Sequence, residues 1–119
     1  MSVAIARIDP LKDQDSLLPF LIANVNDRMN PDGYRWQFEG IPQPAIFITG
    51  QELEEIVCTQ SFLPHGLMVN GAIVPTVKSE HSFLVPAKRG TSVFTDSYAL
   101  GLDLCAKAGT HTCWGFTPA

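Results

Sequence analysis

The stretch VPAKRGTSVF, from Val85 to Phe94, contains the residue types that an anion-binding loop needs. It follows an apolar, β-rich segment and leads into a helical pattern. A helix N-terminus presents unpaired N–H groups and the positive end of the helix dipole, both of which favour an anion. Gly90 lets the backbone approach a ligand closely, and Lys88 and Arg89 supply positive charge. The stretch therefore predicts either a phosphate-binding loop or an ordinary tight turn in which Ser92 caps the helix.

Two further groups of residues could take part in chemistry. Glu80 and His81 are adjacent on the strand before the loop, and on a regular strand their side chains point to opposite faces. Only one of them is then expected to face a cleft. Tyr34, Trp36 and Phe38 alternate in a turn-rich segment. They predict either a binding pocket on a loop or core packing that anchors that loop.

A metal site and a disulfide framework are not expected from the cysteines and histidines. None of them shows a C-x-x-C or H-x-x-x-H spacing, so we predict no metal. An odd number of cysteines on apolar segments is typical of reduced thiols in a cytosolic protein, and we predict a cytoplasmic location. The residues concerned are Cys58, Cys105, Cys113, His65, His81 and His111.

Length, composition and charge limit the class of protein. A chain of 119 residues predicts one domain, spanning residues 1–119. Its net charge of -4 argues against a nucleic-acid or membrane-surface partner, because both need a positive field. The N-terminal sequence lacks a secretory signal pattern, and no apolar run reaches the roughly 18 residues of a membrane span. We therefore expect a globular domain that acts on a small ligand or a protein.

The first half of the chain predicts a strand, a helix and a turn-rich segment. Residues 2–8 alternate as a strand, and the apolar spacing after it indicates a helix that begins or kinks near Pro19. The segment from Asn30 to Pro44 is a loop, or a short helix framed by loops. AIFIT then predicts a strand, and Gly50-Gln51 the turn that follows it.

The second half predicts a meander and a strand-loop-helix-strand unit. EEIVCTQSFLP is a strand, Asn70-Gly71 forms a hairpin turn, and VKSEHSFLVP is another strand. A helix follows and ends at Gly109, and THTCWGF is the final strand. The last helix makes a right-handed crossover between parallel strands. The fold class is therefore α+β, with a mixed, mostly antiparallel sheet.

The order of these motifs resembles the GNAT superfamily of acetyltransferases. The motifs concerned are the YRWQFEG segment, the EIVC strand, the hairpin, the VPAKRGTSVF loop and the WGF strand, which together cover most of the chain. The resemblance implies a GNAT-like acyl-CoA-binding domain that transfers acetyl from acetyl-CoA to an unknown amine. Three positions differ from the usual pattern: Ala87 stands where the loop normally has Gln or Arg, Ser92 where it has Gly or Ala, and Cys58 in the EIVC strand where glycine is common.

The resemblance also implies roles for particular residues. Glu80 is the expected base, and its alternative is a solvated residue on a half-exposed strand. Tyr34 and Trp36 are expected in the acceptor pocket. The strand end is expected along the pantetheine arm of the coenzyme, and the loop and helix start at its pyrophosphate. These coenzyme-binding residues are Phe83, Leu84, Val85, Lys88, Arg89, Gly90, Thr91, Ser92, Val93 and Phe94.

The resemblance ends early, because the family normally continues with a helix and further strands after WGF. We therefore expect a GNAT-like domain that lacks these elements. An alternative function follows: a non-catalytic module that binds a CoA-like ligand, or a protein partner through its open sheet edge. The final strand, His111 to Phe116, contains no Lys or Pro to block pairing. We accordingly predict a homodimer through this strand, with Trp114 at or near the interface.

Overall fold

A computed structural model describes residues 2–41 and 43–116. Within those ranges the chain forms an α+β domain built on one five-stranded sheet. The elements, in order, are β1 (Ala4–Ile8), α1 (Gln14–Asn24), α2 (Pro31–Glu39), β2 (Ile46–Glu52), β3 (Glu55–Val69), β4 (Ala72–Leu84), a 3₁₀ turn (Pro86–Lys88), α3 (Val93–Lys107) and β5 (Cys113–Trp114).

The sheet follows the chain order β1-β2-β3-β4-β5. The first four strands pair antiparallel. Turns connect β2 to β3 and β3 to β4, whereas α1 and α2 lie between β1 and β2. β5 pairs parallel with β4, at Val77↔Cys113 and Lys78↔Trp114. α3 makes the crossover between these two parallel strands. The predicted fold class, a mixed and mostly antiparallel sheet with a C-terminal strand-loop-helix-strand unit, is confirmed.

The helices cover both faces of the sheet, and each face has its own apolar core. α1 and α2 pack on one face, where Tyr34 and Phe38 lie one helical turn apart and contact Phe47 of β2. α3 packs on the other face, against Ile48 and Phe62. Burying an apolar stripe of each helix in this way gives the domain two layers of core around a central sheet.

Close packing of α3 on the sheet depends on a glycine. Gly101 faces the ring of Phe62, and a Cβ atom at this position would lie 1.9 Å from Phe62 Cε2. Phe62 is fully buried and also meets Tyr98 edge-on, with ring centroids 5.2 Å apart. The absence of a side chain at Gly101 thus sets how near α3 can lie to β3.

β3 and β4 form one long hairpin of 15 and 13 residues. Asn70 and Gly71 close it with φ angles of 49° and 81°, which confirms the predicted turn. β2 pairs with β3 only as far as Phe62, and β5 meets β4 at Val77 and Lys78. Residues 65–76 therefore extend past their neighbours, and we call this part of the hairpin the arm.

Two sequence predictions about local structure differ from what is observed, and a third matches one of its two alternatives. The turn after β2 lies at Leu53-Glu54, both with positive φ, and not at Gly50-Gln51. Gly50 is needed for close packing instead, because a Cβ there would lie 3.1 Å from Val3 Cγ1. The segment Asn30 to Pro44 matches the alternative of a short helix framed by loops: it contains α2, capped by the Asn30 side chain, which accepts from the Gly33 N–H at 2.8 Å. The segment VKSEHSFLVP is not a separate strand, since β4 runs continuously from the turn.

Candidate functional site

A β-bulge interrupts the pairing of β3 with β4. Thr59 pairs with Phe83 and Ser61 with Glu80, so β4 contains one more residue than β3 in this interval. His81 adopts a φ of 55° to accommodate the extra residue. The Thr59 hydroxyl fixes the distorted backbone by donating to the His81 carbonyl at 2.7 Å, and Ser61 Oγ lies beside the Glu80 carbonyl at 2.9 Å.

The bulge brings Glu80 and His81 to the same place. Both residues border two cavities, one on each side of β4. The expectation that only one of them faces a cleft is wrong, because it assumed the strict alternation of a regular strand. The two cavities thus share Glu80 and His81 among the residues that line them.

The first cavity, which we call the α2 cavity, lies between β4 and the helices of the first half. Its volume is about 570 Å³, and its lining mixes apolar, amide and charged side chains. Trp36 stands at its rim, 78% exposed. The lining residues are Val25, Asn26, Arg28, Met29, Asn30, Gly33, Trp36, Gln37, Glu80 and His81.

The second cavity, the β5 cavity, lies where β5 and α3 face β4. Its volume is about 550 Å³. Tyr98 and Cys113 meet on its wall, with the hydroxyl 3.5 Å from Sγ. The lining residues are Ser79, Glu80, His81, Ser82, Phe94, Tyr98, Cys113, Trp114, Gly115 and Phe116.

His81 is a buried, neutral imidazole. Its ring stacks on Phe47 with centroids 5.9 Å apart, and its Nε2 lies 3.1 Å from Gln37 Oε1. Because an amide oxygen only accepts, Nε2 carries the proton, and Nδ1 accepts from Ser61 Oγ at 2.6 Å. Burial lowers the pKa of His81 from 6.5 to about 4, and the neighbouring Glu80 offsets only part of this effect. His81 therefore holds the shape of the bulge and stays uncharged at neutral pH.

Glu80 is the charged partner in this pair. Its carboxylate forms an ion pair with Lys78 and is one-third exposed. The Lys78 ammonium also lies over the rings of Trp114 and Phe116, at 5.8 and 5.3 Å from their centroids. Glu80 is thus a solvent-accessible carboxylate that borders both cavities, which is the geometry that a proton acceptor needs.

A buried amide beneath the bulge was missed by the sequence reasoning. Gln60 is fully buried on the α3 face of β3, where its Nε2 donates to Ser79 Oγ at 2.7 Å. Its Oε1 accepts from Ser82 Oγ at 2.5 Å. A glutamine between Cys58 and Phe62 on an otherwise apolar face was the signal available, because a buried amide needs partners. Gln60 connects the two sides of the bulge.

The loop from Val85 to Phe94 turns at Gly90 and leads into the start of α3. Gly90 has a φ of 83°, and no atom lies within 4 Å of where its Cβ would be. Asp96 is the first residue of α3 whose N–H has a helical acceptor, Ser92 O at 2.8 Å. Among the residues that the structure describes, the N–H groups of Gly90, Ser92, Phe94 and Thr95 have no acceptor. These groups are the donors that a phosphate would use.

The two cations of the loop differ in their availability. Lys88 Nζ donates to Glu52 at 2.5 Å, with both side chains largely buried, so its charge is already matched. Arg89 is exposed, lies 6.0 Å from the Phe83 ring centroid and reaches the Leu84 carbonyl only loosely at 3.4 Å. Arg89 is therefore the cation that can still meet a ligand at this loop.

The other residues predicted to contact the coenzyme lie at the end of β4 and at the start of α3. The Val85 N–H donates to Val57 O at 2.9 Å, which fixes the end of β4. Thr91 Oγ1 donates to Lys88 O at 2.5 Å, so this hydroxyl closes the loop. The side chain of Val93 is buried, and Phe94 lines the β5 cavity.

The aromatic set divides between core and cavity. Tyr34 is fully buried, and its hydroxyl donates to Pro10 O at 2.5 Å. Burial raises the pKa of Tyr34 well above its ordinary value of 10. Tyr34 therefore matches the core-packing alternative and does not line an acceptor pocket, because α2 turns residues at i and i+4 toward the sheet. Trp36 lies on the opposite side of α2 and does line the α2 cavity.

Three further observations concern the cysteines, metal binding and the length of the helices. All three cysteines are free, and burial raises the pKa of Cys105 to about 11. Within residues 2–41 and 43–116, no group of three or more His, Cys, Asp or Glu side chains could hold a metal ion. No helix in the same ranges is both long and apolar enough to cross a membrane.

Comparison with known proteins was informative only at the level of structure. No family model matches the sequence, and no curated protein matches it. The structure is similar to a predicted acetyltransferase with acetyl-CoA from Clostridium acetobutylicum (TM-score 0.79, 12% identity, covering 98% of this chain and 81% of that one). It is also similar to glucosamine-6-phosphate N-acetyltransferase from Arabidopsis thaliana, with a TM-score of 0.74, 13% identity and coverage of 100% of this chain and 84% of that one.

A third similar structure is a ribosomal-protein-alanine N-acetyltransferase from Brucella melitensis, with a TM-score of 0.73, 16% identity and coverage of 99% of this chain and 81% of that one. The similarity therefore extends over nearly the whole chain, although sequence identity is low. The chain has the fold of the GNAT superfamily of acetyltransferases.

Proposed function

We propose that this protein is an acyl-CoA-dependent N-acetyltransferase. One observation carries the proposal: cavities on the two sides of β4 both border the bulge, and Glu80 lines each of them. Transfer of an acetyl group needs such a place, because donor and acceptor must approach the same carbonyl carbon from different directions. The loop before α3 lies next to it along the chain and offers unpaired N–H groups to an anionic donor.

The donor is proposed to lie along the end of β4 and in the β5 cavity. Its pyrophosphate would be bound by the N–H groups of Gly90, Ser92 and Phe94 and by the Arg89 guanidinium. Phe83, Leu84 and Val85 would follow its pantetheine arm. Lys88 supports the loop through Glu52 and contributes little net charge. The thioester would then reach the bulge, where the distorted strand presents main-chain groups to it.

The acceptor amine is proposed to enter through the α2 cavity, past Trp36. An amine arrives protonated at neutral pH, so Glu80 would remove a proton before the nitrogen attacks the thioester carbonyl. The new C–N bond replaces the C–S bond, and CoA leaves as the thiol after taking up a proton. His81 does not exchange protons in this scheme, since its two ring nitrogens are already hydrogen-bonded.

The acceptor itself is left open. Similar structures include enzymes named for an amino-sugar phosphate, a ribosomal protein and aminoglycosides, which differ widely in size and charge. A shared fold does not select among these acceptors. Acceptor specificity would be set by the α2 cavity, where Arg28 and the Trp36 indole are the most distinctive groups.

Thermal unfolding with acetyl-CoA tests donor binding. Ligand at about 100 times its Kd would stabilise the fold by roughly 2.7 kcal/mol and raise Tm. Gly90→Val should remove this shift, because a β-branched residue resists the positive φ and would obstruct the phosphate. Gly109→Val is the matched control, since Gly109 has a φ of 90° and similarly open surroundings but lies at the other end of α3. An absent shift in the wild type at millimolar acetyl-CoA would contradict the proposal.

A non-catalytic role is the second candidate. β5 is paired over only two residues, and Phe116 beyond it is 82% exposed, so this edge of the sheet could recruit a partner chain. The homodimer through the final strand remains a prediction of the same kind. Thiol release from acetyl-CoA with a panel of amines separates the two candidates: binding without release favours the non-catalytic module.

A further inference from the structure

The arm, residues 65–76, exposes an unusual amount of apolar surface. Five large apolar side chains are at least one-third exposed there: Leu67 (38%), Met68 (68%), Val69 (49%), Ile73 (71%) and Val74 (37%). They are neighbours along the two strands, and strand alternation divides them between the two faces of the arm. Exposed apolar side chains are usually scattered singly, and contiguous patches mark interaction sites.

Both faces of the arm are apolar. The cross-strand pairs Leu67↔Val74 and Val69↔Ala72 lie on one face, and Met68↔Ile73 lies on the other. A strand that covers one core normally alternates apolar and polar residues. The arm does not alternate, although neither of its faces packs on a helix. A two-stranded hairpin alone is only marginally stable in water, so further strands or a covering surface would stabilise it.

The outer edges of the arm are also unprotected. Between His65 and Thr76 there is no Lys, Arg, Asp or Glu. Natural proteins usually place charges or proline on an exposed edge to prevent pairing with another chain. Pro75 removes one donor from the β4 edge, whereas the β3 edge from His65 to Val69 contains no proline. The β3 edge is therefore the better template for an added strand.

We propose that the arm docks on a second copy of this chain, with the β3 edges of two arms pairing antiparallel about a two-fold axis. Charge favours a copy: each chain has a net charge of -4, and the uncharged arm is where two such chains can approach with least repulsion. Symmetry also favours a second copy. A two-fold contact needs a self-complementary patch, and each apolar face of one arm would meet the same apolar face of the other arm. This inference does not depend on the proposed function.

The surface continues from the arm toward the final strand. The ring of His65 lies 5.7 Å from that of Trp114, and Trp114 Nε1 donates to Thr76 Oγ1 at 2.9 Å. Phe116 lies against Trp114, with centroids 5.8 Å apart. A second copy on this face of the arm therefore also approaches the aromatic residues of the final strand, while the centre of the contact stays on the arm.

Sedimentation equilibrium of the wild type and two double variants tests the inference. Leu67→Glu with Val74→Glu changes one face, and Met68→Glu with Ile73→Glu changes the other. We expect a wild-type dimer at tens of micromolar, and for each double variant a dissociation constant raised at least about 10-fold, because like charges would face one another across the axis. Leu102→Glu is the matched control, since Leu102 is 40% exposed on α3, and it should leave the dimer intact.

Circular dichroism and a cooperative melt establish that each variant is folded, which is expected because the substituted side chains are exposed. A wild type that stays monomeric up to a few hundred micromolar overturns the inference. So does a dimer that survives both double variants, or one that Leu102→Glu dissociates equally. If Phe116→Ser dissociates the dimer and the arm variants do not, the interface belongs to the final strand and the arm is excluded.

Discussion

The two ends of the β3–β4 hairpin follow opposite rules. At the end within the sheet, the ladder is broken by a bulge, the side chains are polar, and each polar atom is matched: Gln60 by two serines, His81 by Ser61 and Gln37. In the arm, pairing is regular from His65 to Val69, but the apolar side chains are exposed. Irregular backbone with hydrogen-bonded polar groups marks the candidate site, and regular backbone with exposed apolar surface marks the candidate interface.

This difference shows that the two strands, although continuous, belong to two parts of the protein with separate tasks. Burial fixes the first part, so substitutions there should change stability and chemistry. The arm packs on neither helical layer, so substitutions there should change association and little else. The predictions below test this contrast.

Phe62→Ala should have the largest effect on stability. Phe62 is fully buried between β3 and α3, so its truncation should lower the free energy of unfolding by about 3–5 kcal/mol. Urea unfolding followed by circular dichroism measures it. A loss below about 1 kcal/mol would mean that α3 does not depend on this contact, and the close approach at Gly101 would need another explanation.

The bulge should make stability depend on pH through His81. Its pKa is lowered to about 4 in the folded protein from 6.5 in the unfolded chain. The free energy of unfolding is therefore highest above pH 6.5, where the imidazole is neutral in both states. It falls by up to about 3 kcal/mol as the pH falls from 6.5 toward 4, because the unfolded chain then binds a proton that the folded protein does not. His81→Asn, which tolerates positive φ, should flatten the stability profile in this window. Equal slopes for variant and wild type would contradict the assignment.

Glu80→Gln tests the proposed base. The amide keeps the size of the side chain but cannot take up a proton, so turnover at neutral pH should fall by about 10²-fold while acetyl-CoA affinity is unchanged. Glu39→Gln is the control, because Glu39 is an exposed glutamate paired with Arg35 on α2, away from the bulge. Unchanged turnover in Glu80→Gln would remove the role from this residue.

Ile73→Ala should have the smallest effect. Ile73 is 71% exposed on the arm, so its truncation removes little buried surface and should change the unfolding free energy by only about 0.5 kcal/mol. The measurement must be made at a protein concentration below the onset of dimerisation. A loss comparable to that of Phe62→Ala would show that the arm is buried in the monomer, and the contrast between the two ends would disappear.

Features encoded by short-range chemistry were predictable from the sequence. Asn70-Gly71 specifies a turn with two positive φ angles, and the structure has it. Gly109 ends α3 as predicted: it has a φ of 90°, and the Thr110 N–H donates to Cys105 O at 2.9 Å. The antiparallel meander from β2 to β4 was also predictable, because short connections require antiparallel neighbours.

Features that depend on long-range packing were not predictable. The bulge at His81 results from the register of two strands, which no local pattern encodes, and it reversed the expectation for Glu80 and His81. Tyr34 was placed in the pocket because its segment was interpreted as a loop, whereas a helix turns it inward onto Phe38. The partner of Lys88 is 36 residues away at Glu52, so the sequence could not show that one of the two loop cations is already matched.

The positions of the two tryptophans give the protein its own optical probes. Trp36 is exposed beside the α2 cavity, and Trp114 is half-buried at the base of the arm with its indole N–H bonded to Thr76. Trp36→Phe would leave an emission spectrum that reports only on the arm, and Trp114→Phe one that reports only on the cavity. Occupancy of the cavity and self-association could then be followed separately by fluorescence, without an attached dye.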